Sequence, residues 1–239
     1  MTEQTTQKKY ELLKDDTVEH FGRTLYRIKA LITFGLVGAG QLGGYIETEK
    51  NLDHSGNAWV YDNAMVYGDA CVYGNAGVYD NAWVYGNARV YGNARVYGKA
   101  WVFGNACVYG NAGVYGKAWV FGNAWVFGDA RVYGDACVYG NAGVCGDARV
   151  YDIARVFGDA RVRSFAVISE RKMIFWASNV GSENGTLTVF NGKFGLIVTR
   201  GCFTGTVDEF LSKSKEVHDD KTHHEYKLLI EVAQSRILN

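Results

Sequence analysis

The stretch "VYGNARVYGNARVYGKAWVFGNA", Val84–Ala106, says nearly the same six residues over and over. The phrase extends well beyond it. Valine recurs every six residues from Val60 to Val162, and alanine keeps its own six-residue register from Ala58 to Ala166. Within each hexad the order Ala-x-Val-Tyr alternates small, variable, aliphatic and aromatic, the period of two that marks a strand. Glycine and then Asn, Asp or Lys follow. These residues turn a corner, because glycine reaches positive φ without strain and Asn and Asp tolerate it. Each hexad is therefore a very short strand and a bend. A helix would carry the valines round drifting faces and put glycine repeatedly in its interior, at about 1 kcal/mol each.

Strands this short bury no face alone. Stacked as coils of a parallel β-solenoid, each bonds its N–H and C=O groups to the next coil. The chain contains no proline, as expected where nearly every N–H enters a ladder. The hexad V-x-G-[ND]-A-x resembles the hexapeptide-repeat family of left-handed parallel β-helices. That resemblance implies three hexads per triangular coil, an inward aliphatic residue and a small residue two positions before it, roles that Val and Ala fill here. The family more often has its glycine directly after the aliphatic residue, whereas here it stands two residues after Val. The expected fold is all-β: a parallel β-helix of about six coils, roughly 30 Å long at about 4.8 Å per strand. Residues 1–54 are the expected N-terminal β cap and lead-in loop, 55–166 the solenoid, and 167–239 a C-terminal β-hairpin and two-helix unit.

Alternation assigns the surfaces. Val and Ala face inward, so x and Tyr/Phe face outward, and residues eighteen apart share a column. Trp83, Trp101 and Trp119 form one such column. With Trp125, Tyr97 and Tyr115 they make the candidate partner-binding surface, since exposed Trp and Tyr are the residues of interface cores. Arg131, Arg149, Arg155, Arg161 and Arg163 crowd toward the last coils as a candidate anion-binding end.

In the flanks, Leu25–Phe34 is the best strand before the repeat. After it, Asn191-Gly192 between two apolar runs predicts a type I′ hairpin turn. Thr206-Val-Asp-Glu209 and Thr222-His-His-Glu225 are both capping-box sequences, and Tyr226, Leu229, Ile230, Ala233 and Ile237 make one helical stripe. Both flanks are expected to cap the open ends of the solenoid. The segments "TLYRIKAL", "LGGYIE" and "SNVGSENGTLTVF…GCFTGTVDEF" together resemble a group of repeat proteins common in bacteriophages and prophages, whose activity is not settled. That resemblance implies a phage origin and a bacterial cytoplasm as the setting.

Several functions lose their chemistry. Formal net charge is +0, which disfavours a nucleic-acid or membrane-surface partner. No apolar run approaches the roughly 20 residues of a membrane span, and "MTEQTTQKKYELLKDD" is too polar for a leader. Gly38-Ala-Gly40-Gln-Leu-Gly43 matches G-x-G-x-x-G, but Gly44-Tyr45-Ile46 opens a strand where a nucleotide site needs a helix. His218, Asp219, Asp220, His223 and His224 are explained by a polar loop before a capped helix, so no metal or other cofactor is expected. Acyltransferases and carbonic anhydrases of the hexapeptide scaffold use histidines at the coils, and here none lies between His54 and His218. Five cysteines without C-x-x-C spacing fit reduced thiols. The function expected is thus non-catalytic: a rigid scaffold docking an aromatic face onto a protein, such as a host defence component, or onto itself. The hexapeptide resemblance implies a homotrimer. A small-ligand binder of nucleotide type is the alternative, and an atypical acyltransferase the third.

Overall fold

The computed structural model describes residues 8–238; the first seven residues of the polar N-terminal segment lie outside them. The hexads stack as a parallel β-solenoid with three sheets, one per face, as the periodicity predicts. Every strand pairs in register with the strand eighteen residues away, for example Trp101 with Trp83 and Trp119. Three backbone bonds per hexad reach the next coil. Trp83 N–H donates to Ala100 O at 3.0 Å, Tyr85 N–H to Val102 O at 3.0 Å, and Asn87 N–H to Gly104 O at 2.8 Å. The interior holds only the Val and Ala columns through most of its length, all buried.

The solenoid is longer than the Val60–Val162 register suggests. After the antiparallel pair β1 (Tyr10–His20) and β2 (Arg23–Ala30), strand β3 (Leu42–Ile46) pairs parallel with Met65–Val66 and so begins the first coil. At the far end Val167–Ile168 pairs with Arg149–Val150. About seven turns result, with seven solenoid strands on the fullest faces. The early coil hides in sequence because Gly44-Tyr45-Ile46 replaces Ala-x-Val. Gly44 packs so tightly that a Cβ there would lie 2.4 Å from Ala64 O.

Outward residues build ladders. Tyr and Phe rings stack up each face at 4.4–5.0 Å with nearly parallel planes. On two corners asparagines form directional chains: Asn57, Asn75, Asn93 and Asn111 each donate from Nδ2 to the next Oδ1, ending on Asp129, and the Asn87 chain ends on Asp159. A carboxylate can only accept, so it terminates the chain without an unmet donor.

Both ends are closed. At the N-terminal end Lys9 Nζ donates to Ala58 O at 2.9 Å and Tyr10 Oη to Leu52 O at 2.7 Å. Trp59, an outward position by pattern, is buried there beneath Tyr10 and Phe34. At the other end a four-stranded antiparallel sheet, 174–206, precedes α1 (Val207–Val217) and α2 (Asp220–Ile237). Thr188 Oγ1 accepts from Arg161 N–H at 3.0 Å, and Thr199 Oγ1 donates to Arg161 O at 2.7 Å.

Two local expectations change. The hairpin turns at Lys193-Phe194, since Gly192 pairs with Gly195. Asn191 stays in the strand, where Nδ2 donates to Val167 O at 3.1 Å across the solenoid end. Thr206 and Glu209 do form a capping box, but α2 is capped earlier, by Asp219 accepting from Thr222 N–H at 2.7 Å. Glu225 is thereby freed to accept from Gly181 N–H.

Corner glycines sit near φ +70°, and Gly98, at +74°, would place a Cβ 3.0 Å from Gly116 O. Asp80 occupies the preceding place in that column at φ +59° and accepts from Gly98 N–H at 2.9 Å. Gly98→Ala is expected to lose about 1–2 kcal/mol in urea unfolding, and Gly98→Asp less, because its carboxylate accepts from the next coil. The tyrosine columns set an alkaline limit. Burial first, then a neighbouring tyrosine, pushes Tyr61 and Tyr67 up to about 12. A raised folded pKa means that the fold favours the neutral phenol. Their stabilising contribution is complete below the ordinary value of about 10 and is lost as pH rises from there to about 12. Melting temperature should fall across that window in step with phenolate absorbance; a flat profile would contradict the account.

Candidate functional site

The outward column of the first face carries Met65, Trp83, Trp101, Trp119, Cys137 and Arg155 in register. Each indole comes from the x position, on a two-residue strand whose valine anchors it inward. Strand spacing alone then brings the rings into stacking distance. Centroids of Trp83 and Trp101 lie 4.8 Å apart and those of Trp101 and Trp119 5.1 Å apart, with planes within 9° and 1°. The corner beside them carries Asn63, Asn81, Lys99 and Lys117, and together these residues line an open trough of about 640 Å³. Exposure grows along the column to 40 % at Trp119.

The lower end is partly covered. The β1–β2 turn lays His20 edge-on against Trp83 at 4.5 Å, with Phe21 beside it, 82 % exposed and at φ +49°. Burial lowers the His20 pKa and so favours the neutral imidazole. No local sequence signal marks this contact, because the hairpin's position over the first face depends on β3 joining the solenoid. Trp101 and Trp119 are thus the open part of the stripe.

The other expected members of this surface lie elsewhere. Trp125 differs from Trp119 by one hexad, not three, and so stands on another face, paired with Cys107 and Gly143. There it is 47 % exposed, with the Arg161 guanidinium 5.6 Å from its ring centre, reaching back across Gly143. Tyr97 and Tyr115 stack at 4.6 Å on the remaining face, beside Arg95 and Arg131. The expected basic end divides in the same way. Arg131 and Arg149 stand in register on the tyrosine face, Arg155 tops the tryptophan column, Arg161 joins Trp125, and Arg163 takes the aromatic place that follows Val162 on that same face. A three-hexad coil separates neighbours in sequence, so five arginines close in the chain make no single patch.

The remaining motifs have structural partners. Gly43 of the glycine loop would put a Cβ 2.5 Å from Val60 O and against the Trp59 ring, and the loop leads into β3. His223 Nδ1 lies 3.2 Å from Ser214 Oγ, while His218 packs on Tyr226. Among the described residues no three His, Cys, Asp or Glu side chains gather as a metal site. The five thiols are unpaired, and burial pushes those of Cys71, Cys107, Cys137 and Cys145 up, away from the reactive thiolate.

No curated protein matches the chain. A repeat family described as the YdcK Beta solenoid repeat matches residues 58–74, 88–104 and 130–146, all within the stacked hexads. In this region the chain is similar to that β-solenoid repeat, in agreement with its parallel coils.

Proposed function

We propose that the protein is a non-catalytic binding scaffold that docks its tryptophan face onto a protein partner or onto a second copy of itself. The observation that carries this reading is the continuous stack of Trp83, Trp101 and Trp119 on a backbone bonded at every coil. Tryptophan at the variable position is not required by the repeat, since the same position elsewhere holds Arg, Cys or Gly. A flat, pre-ordered aromatic stripe loses little conformational freedom on binding, which favours association. Lys99 and Lys117 give it a polar rim, the usual frame of an interface core.

The phage resemblance supplies the setting we infer, a bacterial cytoplasm, and unpaired thiols agree with a reducing compartment. A host defence component would be a fitting protein target in that setting. The hexapeptide resemblance supplies the trimer as the form of self-assembly.

Trp101→Ser and Trp119→Ser avoid Trp83, which holds the N-terminal hairpin. Native mass spectrometry of the gently purified double variant should show loss of the bound protein or of the oligomer. Truncating an interface hot spot costs at least about 2 kcal/mol, or roughly 30-fold in affinity. The melting temperature should stay near that of the parent. Association unchanged by both substitutions would refute the tryptophan face as the docking surface.

A further inference from the structure

The tyrosine face carries a second feature, independent of the tryptophan stripe. Its outward column runs Gly77, Arg95, Gly113, Arg131 and Arg149, each paired in register with the next. Three glycines occupy outward strand positions in the repeat, at 77, 113 and 143. The Tyr79 ring lies over Gly77, where a Cβ would come within 2.3 Å of it. Arg161 crosses Gly143 on its way to Trp125. Gly113 is left open. It has no positive φ, and a Cβ there would meet only the Tyr115 ring, at an ordinary 3.6 Å. Neither the backbone nor packing calls for glycine at this place, so its effect is the gap it leaves.

That gap has a charged rim. Arg95 and Arg131 flank it from two strand spacings apart, about 9.6 Å between backbones. Tyr97 and Tyr115 form one wall and Asn93 and Asn111 the other, around a notch of about 320 Å³. Each asparagine spends one amide N–H on its ladder and keeps a second. Burial raises both tyrosines. The Arg131 and Arg95 charges pull Tyr97 back down, and those of Arg131 and Arg149 do so for Tyr115. Both Arg95 and Arg131 line the notch beside these rings. Among the described residues neither Arg95 nor Arg131 nor Arg149 has a carboxylate within 4.0 Å. Arg131 and Arg149 are also in-register neighbours of like charge, an arrangement that an anion would relieve.

We infer that the Gly113 notch binds a phosphoryl group of a small phosphorylated molecule, held between the Arg95 and Arg131 guanidinium groups. Two arginines on either side of one open, polar notch suit an oxyanion whose several oxygens accept from both sides at once. The asparagine N–H groups and tyrosine hydroxyls supply further donors around it. A carboxylate has two oxygens in one plane and leaves one fork unmet, whereas a phosphoryl group presents three. The site stands on a different face from the tryptophan stripe, so neither depends on the other.

Isothermal titration of the full chain with inorganic pyrophosphate in about 150 mM salt tests this. One saturable site per chain is expected, with Kd below about 1 mM. Gly113→Val fills the gap and leaves every charge in place, and should weaken binding at least about tenfold. Arg95→Gln, at an exposed position that leaves the fold untouched, should do the same, while Trp101→Ser should bind as the parent does. Absence of saturable binding up to about 10 mM would overturn the inference. So would a folded Gly113→Val that binds as the parent does, since binding would then follow surface charge and not the notch.

Discussion

The narrow interior governs everything else in this molecule. Three strands per coil meet around a space that holds one valine and one alanine from each hexad, all buried along its length. Only at the end coils does an isoleucine, Ile46 or Ile168, take the valine place; between them a larger side chain would overpack the core, at about 1–3 kcal/mol per insertion. The corners are equally constrained, since a positive φ is needed where each strand ends and the next coil's backbone lies within about a Cβ's reach. The sameness of the sequence is thus a packing requirement repeated every six residues. Only the variable x position and the corner polar residue are free to carry information.

A stacked sheet with open ends would pair with further copies indefinitely, and the flanks prevent this by different chemistry. The N-terminal end spends a lysine, whose burial brings its pKa down to about 8, on the carbonyl of Ala58. Two buried threonines and Asn191 meet the last coil at the opposite end. These caps are bonded into the solenoid, and the helices pack on the terminal sheet, with Phe210, Tyr226 and Ile230 against Leu187, Val189 and Val198 in a core separate from that of the coils.

The solenoid was legible in sequence because one rule, six residues per strand, repeats without interruption. The tryptophan column followed from simple counting by eighteen. Residue type and closeness in the chain are poor guides to position here. Trp125 and Trp119 are both tryptophans yet stand on different faces, and arginines close in sequence part in the same way, because three-hexad coils send neighbouring hexads to separate faces. The Asn191-Gly192 turn signal was overridden by a long-range bond to Val167. The Arg95–Gly113–Arg131 column was accessible to the same counting, but its meaning depends on which glycines their neighbours cover, and that is set by side-chain direction. The hairpin tip over Trp83 had no sequence signal, since it rests on tertiary placement of β3.

The three faces differ: one carries the tryptophan stripe that we propose as the docking surface, one the arginines with an open gap, and the third a mixed set of side chains. Hydroxyl-radical footprinting of the assembled protein, as isolated with whatever it binds, tests that division within a single molecule. Trp101 and Trp119 should be protected relative to the dissociated chain, while Trp125, on another face and about half exposed, should react equally in both states. Protection spread evenly over all three tryptophans, or confined to Trp125, would contradict a docking surface on the first face.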